Sequence, residues 1–309
     1  MIRTVTLNPA VDRTATIERF AVDAVNRVVA SRLDAGGKGV NVSKAVRALG
    51  GKSVAYGFLG GSAGDFIRGF LDAQEIEHHF VAVRGETRTN LKIVDPVLGT
   101  HTDINESGPP IGMEDLALLE EALFAEAGSD DLFVFSGSTG KGVDGSIYAA
   151  WIRRCRSLGV RTLLDADGVA LAAGAAAKPT ALKPNIDELS RLVGRPLQDI
   201  AAVNVAARSL LGGGTELVAV SLGADGALFT DSRASLRAHG IPIQTLSTVG
   251  AGDSLVAALA LGLERGDDLE RLVRPAVAAG TAAAATEGSA PFDLDMMRAF
   301  EAKVRYEFI

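Results

Sequence analysis

The chain has 309 residues, 47% of them hydrophobic, with 31 Lys and Arg set against 38 Asp and Glu for a formal net charge of −7. That apolar content excludes global disorder and supplies a core for one large α/β unit. The acidic balance argues against general nucleic-acid binding, yet leaves room for a small phosphorylated ligand held by a few local cations.

In chain order, residues 2–7 read as a strand stopped by Asn8-Pro9, and 39–49 as a helix with apolar Val40, Val42, Val46 and Leu49. A strand at 53–57 and a helix at 63–72 follow. Strands at 131–135, 161–165, 181–183 and 217–221 alternate with helices at 145–158 and 186–193. Short strands separated by helices of this length imply right-handed parallel βαβ units. Two stretches break the alternation. Residues 14–33 are extended in character, and 87–105 are strand-like with a turn at Leu98-Gly99. They predict a separate small β-sheet, a lid built from insertions at about 12–34 and 86–106 of a single domain spanning 1–309. The first twenty residues are charged and lack a signal-peptide core. The alanine runs near 170–177 and 276–285 are too short and interrupted for a membrane span. The one cysteine, Cys155, excludes an intrachain disulfide and fits a reducing compartment. A cytoplasmic protein without membrane or nucleic-acid partners is expected.

The richest stretch is Thr248-Val249-Gly250-Ala251-Gly252-Asp253-Ser254, which runs into an apolar helix pattern. A helix start leaves backbone N–H groups free and carries partial positive charge, and glycines let an anion approach it. An aspartate there can take a proton from a hydroxyl beside a bound phosphate. The alternative is an ordinary first-turn aspartate favoured by the helix dipole. Walker A is absent, because Val46 stands where its first glycine belongs ahead of Gly51-Lys52-Ser53. Gly37-Lys38-Gly39 lacks the third glycine of a dinucleotide fingerprint, with Val42 in its place.

Other candidates keep two readings each. Gly36-Gly37-Lys38-Gly39-Val40-Asn41 gathers backbone N–H groups, a lysine and an amide for a polyhydroxylated or anionic ligand, or is a glycine turn with a solvated lysine. Asp12, past the first strand, accepts from sugar hydroxyls or is a turn residue. Arg88, Asn90 and Lys92 share one strand face, able to bind phosphate or simply solvated. Asn185 and Glu188 share a helical face, suited to hydrated magnesium or to a capping box. Ser221-Leu222-Gly223-Ala224-Asp225-Gly226 is a hairpin turn or a nucleotide-lining loop, and Ser136-Gly137-Ser138 lies at the expected ligand edge.

The ordered set of these motifs resembles the ribokinase/PfkB family of carbohydrate kinases over nearly the whole chain. Thr-Leu-Asn-Pro-Ala-Val-Asp, Gly-Glu-Thr-Arg-Thr-Asn-Leu-Lys and Asn105-Glu106-Ser107-Gly108-Pro109 look like its hexose-phosphate branch. The resemblance implies a ribokinase-like three-layer α/β/α domain with a mostly parallel central sheet and a small β-sheet lid. It implies an ATP- and Mg2+-dependent sugar-phosphate kinase, with fructose 1-phosphate the first-choice acceptor and tagatose 6-phosphate or another phosphorylated ketose the alternative. A non-catalytic sugar-phosphate sensor is the rival of another class.

By the same resemblance Asp253 would be the base, and Gly250, Ala251 and Gly252 the anion hole. Asp12, Gly37, Lys38 and Asn41 would hold the sugar, and Arg88, Asn90 and Ser138 its phosphate. Lys183, Asn185, Ser221, Gly223, Gly226 and Gly280 would line the ATP site, with Asn185 and Glu188 organising magnesium through water. The lid would pair across a homodimer, with Arg27 reaching the neighbouring site. The chain departs from the family pattern at Thr139-Gly140-Lys141-Gly142 and at Asp165-Ala166-Asp167-Gly168, both near the acceptor side.

Overall fold

The computed structural model describes residues 1–309. Its elements run β1 (Ile2–Thr6), β2 (Ala10–Thr16), β3 (Ala30–Gly36), α1 (Lys38–Ala48), β4 (Ser53–Leu59), α2 (Gly61–Ala73), β5 (Glu77–Ala82), β6 (Arg88–Asp95), β7 (Thr100–Ile104), α3 (Met113–Phe124), β8 (Leu132–Ser136) and α4 (Ile147–Ser157). The second half continues β9 (Arg161–Asp165), α5 (Gly168–Ala176), β10 (Ala181–Leu182), α6 (Ile186–Leu192), α7 (Ile200–Leu210), β11 (Leu217–Ser221), β12 (Gly226–Thr230), β13 (Ser235–His239), α8 (Ala251–Arg265), α9 (Leu269–Ala284), α10 (Leu294–Glu301) and β14 (Tyr306–Phe308).

Ten strands form one sheet in the order β14-β13-β12-β11-β10-β9-β8-β1-β4-β5. From β5 to β11 every pairing is parallel, and β12, β13 and β14 add an antiparallel edge. The strands are short β-branched and aromatic runs buried on both faces, which parallel sheets with helices on each side require. Alternation along each strand divides the core. Leu132 and Val134 of β8, with Leu217 and Ala219 of β11, pack against α1, α8, α9 and α10. Phe133, Phe135, Val218 and Val220 face α3, α4, α5 and α7 on the opposite side. The result is the three-layer α/β/α arrangement with a mostly parallel sheet.

The two β-rich stretches pair with each other, as expected, in a second sheet of order β3-β2-β6-β7. Its strands do not fill the predicted insertions and do not share their bounds. Residues between Thr16 and Ala30 form no strand, and the first hairpin begins at Ala10 and ends at Gly36, slightly wider than 12–34. The roots Val11 and Ala35 are buried beside Val40 and Ile67, which fixes where the small sheet leaves the body. No helix is long and apolar enough to cross a membrane.

Candidate active site

The N-terminal ends of α1 and α8 and the segment after α9 at Gly288 and Ser289 face the small sheet across a polar cleft of about 350 Å³. This is the C-terminal edge of the parallel strands, where α/β folds bind ligands. Asp12, Gly37, Lys38, Asn41, Arg88, Asn90 and Asp253 all line it, although they are scattered over most of the chain. Val249 is its one hydrophobic lining residue.

Asp253 occupies the third position of α8, behind Gly250, whose φ of 80° is left-handed. A glycine adopts that geometry without the Cβ clash other residues incur, so the helix can start abruptly. The N–H groups of Gly250, Gly252 and Asp253 donate to nothing in the chain. That leaves free donors and the positive end of the helix dipole beside the Asp253 carboxylate. Ala251 N–H reaches Thr248 O only at 3.5 Å.

Asp253 is 6% exposed. Burial, then the nearby Asp165 carboxylate, push its carboxyl up to about 6, against Lys38, the Asn41 amide and Lys183. Asn41 Nδ2 donates to Asp253 Oδ2 at 2.9 Å. Asp165, at the end of β9, accepts from both Lys38 Nζ and Lys183 Nζ at 3.2 Å through the same oxygen. Its burial raises its carboxyl, but the two lysines outweigh that and hold it below the usual carboxylate range. Its other oxygen is buried without a partner. Lys38 in turn is raised above the ordinary lysine range by Asp165.

Asn90 Nδ2 donates to Asp12 Oδ1 at 2.9 Å, and burial raises the Asp12 carboxyl despite that bond. A Cβ at Gly36 would overlap the Asp12 carboxylate, so the glycine makes room for it. Arg88 donates to Asn8 O and Glu106 O, while its Nε is buried and unpaired. The pairing register places Asp34, Asp12 and Asn90 side by side across the small sheet.

Other candidates lie beside the cleft rather than in it. Ser138 accepts from Asn8 Nδ2 at 3.1 Å and does not line the cavity. Lys183 approaches the start of α8, since a Cβ on Gly252 would lie 3.7 Å from its Nζ. Asn185 and Glu188 do form a capping box, Asn185 N–H to Glu188 Oε2 at 2.7 Å and Glu188 N–H to Asn185 Oδ1 at 2.8 Å. Ser221, the last residue of β11, forms a parallel bridge with Asn185, and Gly223 and Gly226 build the hairpin into β12. Gly280 of α9 packs on the Ala251 carbonyl, where a Cβ would come within 3.1 Å.

Asp165, Asp34, Lys44 and Ser289 were not singled out as site residues from the sequence. For Asp165 there was a local sign, an aspartate ending a strand on the ligand edge. Asp34, Lys44 and Ser289 carry no local mark.

Fold and cleft together define a small-molecule phosphotransferase of the ribokinase-like type. The pfkB family carbohydrate kinase pattern matches residues 5–295. A 1-phosphofructokinase of Rhodobacter capsulatus is 42% identical over 282 residues, covering 90% of this chain and 88% of its own length. A tagatose-6-phosphate kinase of Staphylococcus epidermidis is 35% identical over 283 residues, 91% of each chain. The crystal structure of phosphofructokinase-2 from Escherichia coli in complex with substrates and products superposes with a TM-score of 0.94 at 32% identity, covering 98% of both chains. The chain belongs to the pfkB family of carbohydrate kinases.

Proposed function

We propose that this kinase transfers the terminal phosphoryl group of ATP to the 6-hydroxyl of fructose 1-phosphate, giving fructose 1,6-bisphosphate, ADP and a proton. The observation that carries this reading is the buried Asp253 carboxylate beside unpaired helix-start N–H groups, at one wall of a cleft lined by carboxylates, amides and cations. The identity to a 1-phosphofructokinase supports the choice of acceptor.

In this reading Asp253 takes the acceptor hydroxyl proton onto its carboxylate. A base near 6 is ionised at neutral pH yet still matched to proton transfer. The backbone of Gly250, Ala251 and Gly252 stabilises charge on the transferring group, usually the largest contribution in such sites. Asp12, Gly37, Lys38 and Asn41 orient the sugar hydroxyls. Arg88, Asn90 and Ser138 hold the sugar phosphate. Lys183, Asn185, Ser221, Gly223, Gly226 and Gly280 border the ATP side.

The Glu188 oxygen left over from the capping box makes no hydrogen bond within the chain, which suits a hydrated divalent cation. Asn185 and Glu188 would hold magnesium through water, and the ion would neutralise ATP's phosphate oxygens.

We further propose that the chain acts as one domain, with the small sheet as a lid that excludes water. The lid carries exposed Val22, Val25, Val28, Val29, Leu33 and Ile104 and two uncovered edge strands. A second copy of the chain covers this surface, bringing Arg27 to the neighbouring cleft. A cytoplasmic location fits the lone reduced Cys155.

ADP release measured over fructose 1-phosphate, fructose 6-phosphate, tagatose 6-phosphate and their unphosphorylated sugars tests the acceptor. The highest kcat/KM is expected with fructose 1-phosphate. Preference for tagatose 6-phosphate, the sugar phosphate in the name of the Staphylococcus epidermidis relative, would replace it. No turnover with any of these acceptors would leave a sugar-phosphate sensor.

A further inference from the structure

Lys44 is a lysine with no place in the roles above, yet it is 4% exposed and makes three hydrogen bonds. Its ammonium donates to Ala35 O at 2.7 Å, Asn41 Oδ1 at 3.2 Å and Ser289 Oγ at 3.0 Å. It also lies 5.3 Å from the centre of the Phe70 ring. The three acceptors belong to the end of β3, to α1 and to the segment after α9. Asn41 and Lys44 are three residues apart on α1, so they share one face of the helix.

The chemistry of the pair restricts Asn41. A carboxamide has one accepting end and one donating end, while an ammonium only donates. With Lys44 on one side, the Asn41 oxygen must face it, and the Nδ2 group is turned toward Asp253, where it donates to Oδ2 at 2.9 Å. Rotating the amide would set its oxygen against the carboxylate and its NH2 against the ammonium, two repulsions in place of two hydrogen bonds. We propose that Lys44 is a positioning residue for catalysis: it locks the Asn41 amide in the one orientation that donates to the Asp253 carboxylate. Because Lys44 is also bonded to Ala35 at the root of the small sheet, the donor at the base is tied to the strand that carries the lid. The inference rests on the reading of Asp253 as the base.

The charged groups facing Lys44 are Asp34 and Arg32 of β3, Asp12 of β2 and Asp253 of α8. Burial outweighs the three carboxylates and lowers its ammonium to about 8. Once neutral, the amine has a lone pair and no longer dictates which end of the amide faces it. Turnover should therefore fall on the alkaline side as well.

A double-mutant cycle tests the proposal. Lys44→Met is expected to lower kcat by about tenfold to a hundredfold, the range for losing a hydrogen bond to a charged group. It should leave KM for ATP unchanged and raise the acid limb of the pH profile. In an Asn41→Ala background the same substitution should cost almost nothing further, because the amide it controls is gone. Wild-type kcat in folded Lys44→Met, or the same fold-loss in both backgrounds, overturns the proposal. If Lys44→Met does not fold, Lys44→Arg carries the test. A guanidinium stays charged, so its kcat should hold through about pH 9 where wild type declines. An identical decline in both proteins, or none in wild type, overturns the proposal. Failure of the base assignment itself is read separately, as near-normal turnover in Asp253→Asn.

Discussion

Replacing Asp253 by Asn removes a negative charge and keeps the shape and the ability to accept from Asn41. Two effects of opposite benefit follow. Loss of a positioned base should lower kcat by about 10²- to 10⁴-fold. Stability should rise, because the native site resists ionising this group. Its carboxyl lies at about 6 in the fold against an ordinary 3.8. Roughly two pH units at about 1.4 kcal/mol each amount to about 3 kcal/mol as an upper bound. A raised carboxylate value fixes the sign. Below about pH 4 the group is protonated folded or unfolded and costs nothing. Between about pH 4 and pH 6 the unfolded chain ionises first, and above that the cost is complete. The Asn variant never ionises, so its advantage over wild type should grow across that window to a few degrees in melting temperature at pH 8. Thermal denaturation of both proteins at about pH 4.5 and pH 8, alongside ADP release, reads both effects. A variant no more stable than wild type at pH 8 would refute the electrostatic argument, and near-normal turnover would remove Asp253 from the chemistry.

Wild-type kcat/KM should fall about tenfold per pH unit below about 6 as the base is protonated, checked by initial rates from about pH 5 to 8. Arg88→Ala should raise KM for the sugar phosphate by about tenfold to a hundredfold with kcat much less affected, since its loss removes ground-state binding to the acceptor phosphate; an unchanged KM would place the phosphate elsewhere. Gly250→Ala should destabilise the fold by about 1–2 kcal/mol through its left-handed φ of 80°, because the nearest atom to a new Cβ, on Ser289, is 3.9 Å away and does not clash. Urea denaturation measures that cost. Chelation of divalent cations should abolish turnover, with recovery on adding Mg2+.

The strands with the plainest local pattern stand where that pattern puts them. Those at 161–165 and 217–221 coincide with β9 and β11. Others were invisible for local reasons. Glu77–Ala82 carries Glu and two His and is only partly buried at the sheet edge, so it lacks an apolar run. The alanine run at 276–285 covers the second half of α9 and its C-cap Ala285, and Pro275 just before it interrupts the helical pattern. The capping box at Asn185 and Glu188 shows that the bland reading of a motif can hold without excluding a ligand, since one Glu188 oxygen remains outside it.

By itself the sequence determined the alternation of strands and helices, the two β-rich insertions, and the glycine-flanked start of α8 with its aspartate. Each of these is written in neighbouring residues: periodicity, turn chemistry and the free N–H groups of a helix start act over a few positions. Only the tertiary structure decided that Asn41 meets Asp253 across 212 residues, that Asp165 lies between Lys38 and Lys183, and that Lys44 holds the Asn41 amide. Those pairings depend on the order in which parallel strands assemble and on burial that makes each unpaired charge costly. Neither is encoded in the spacing of residues along the chain.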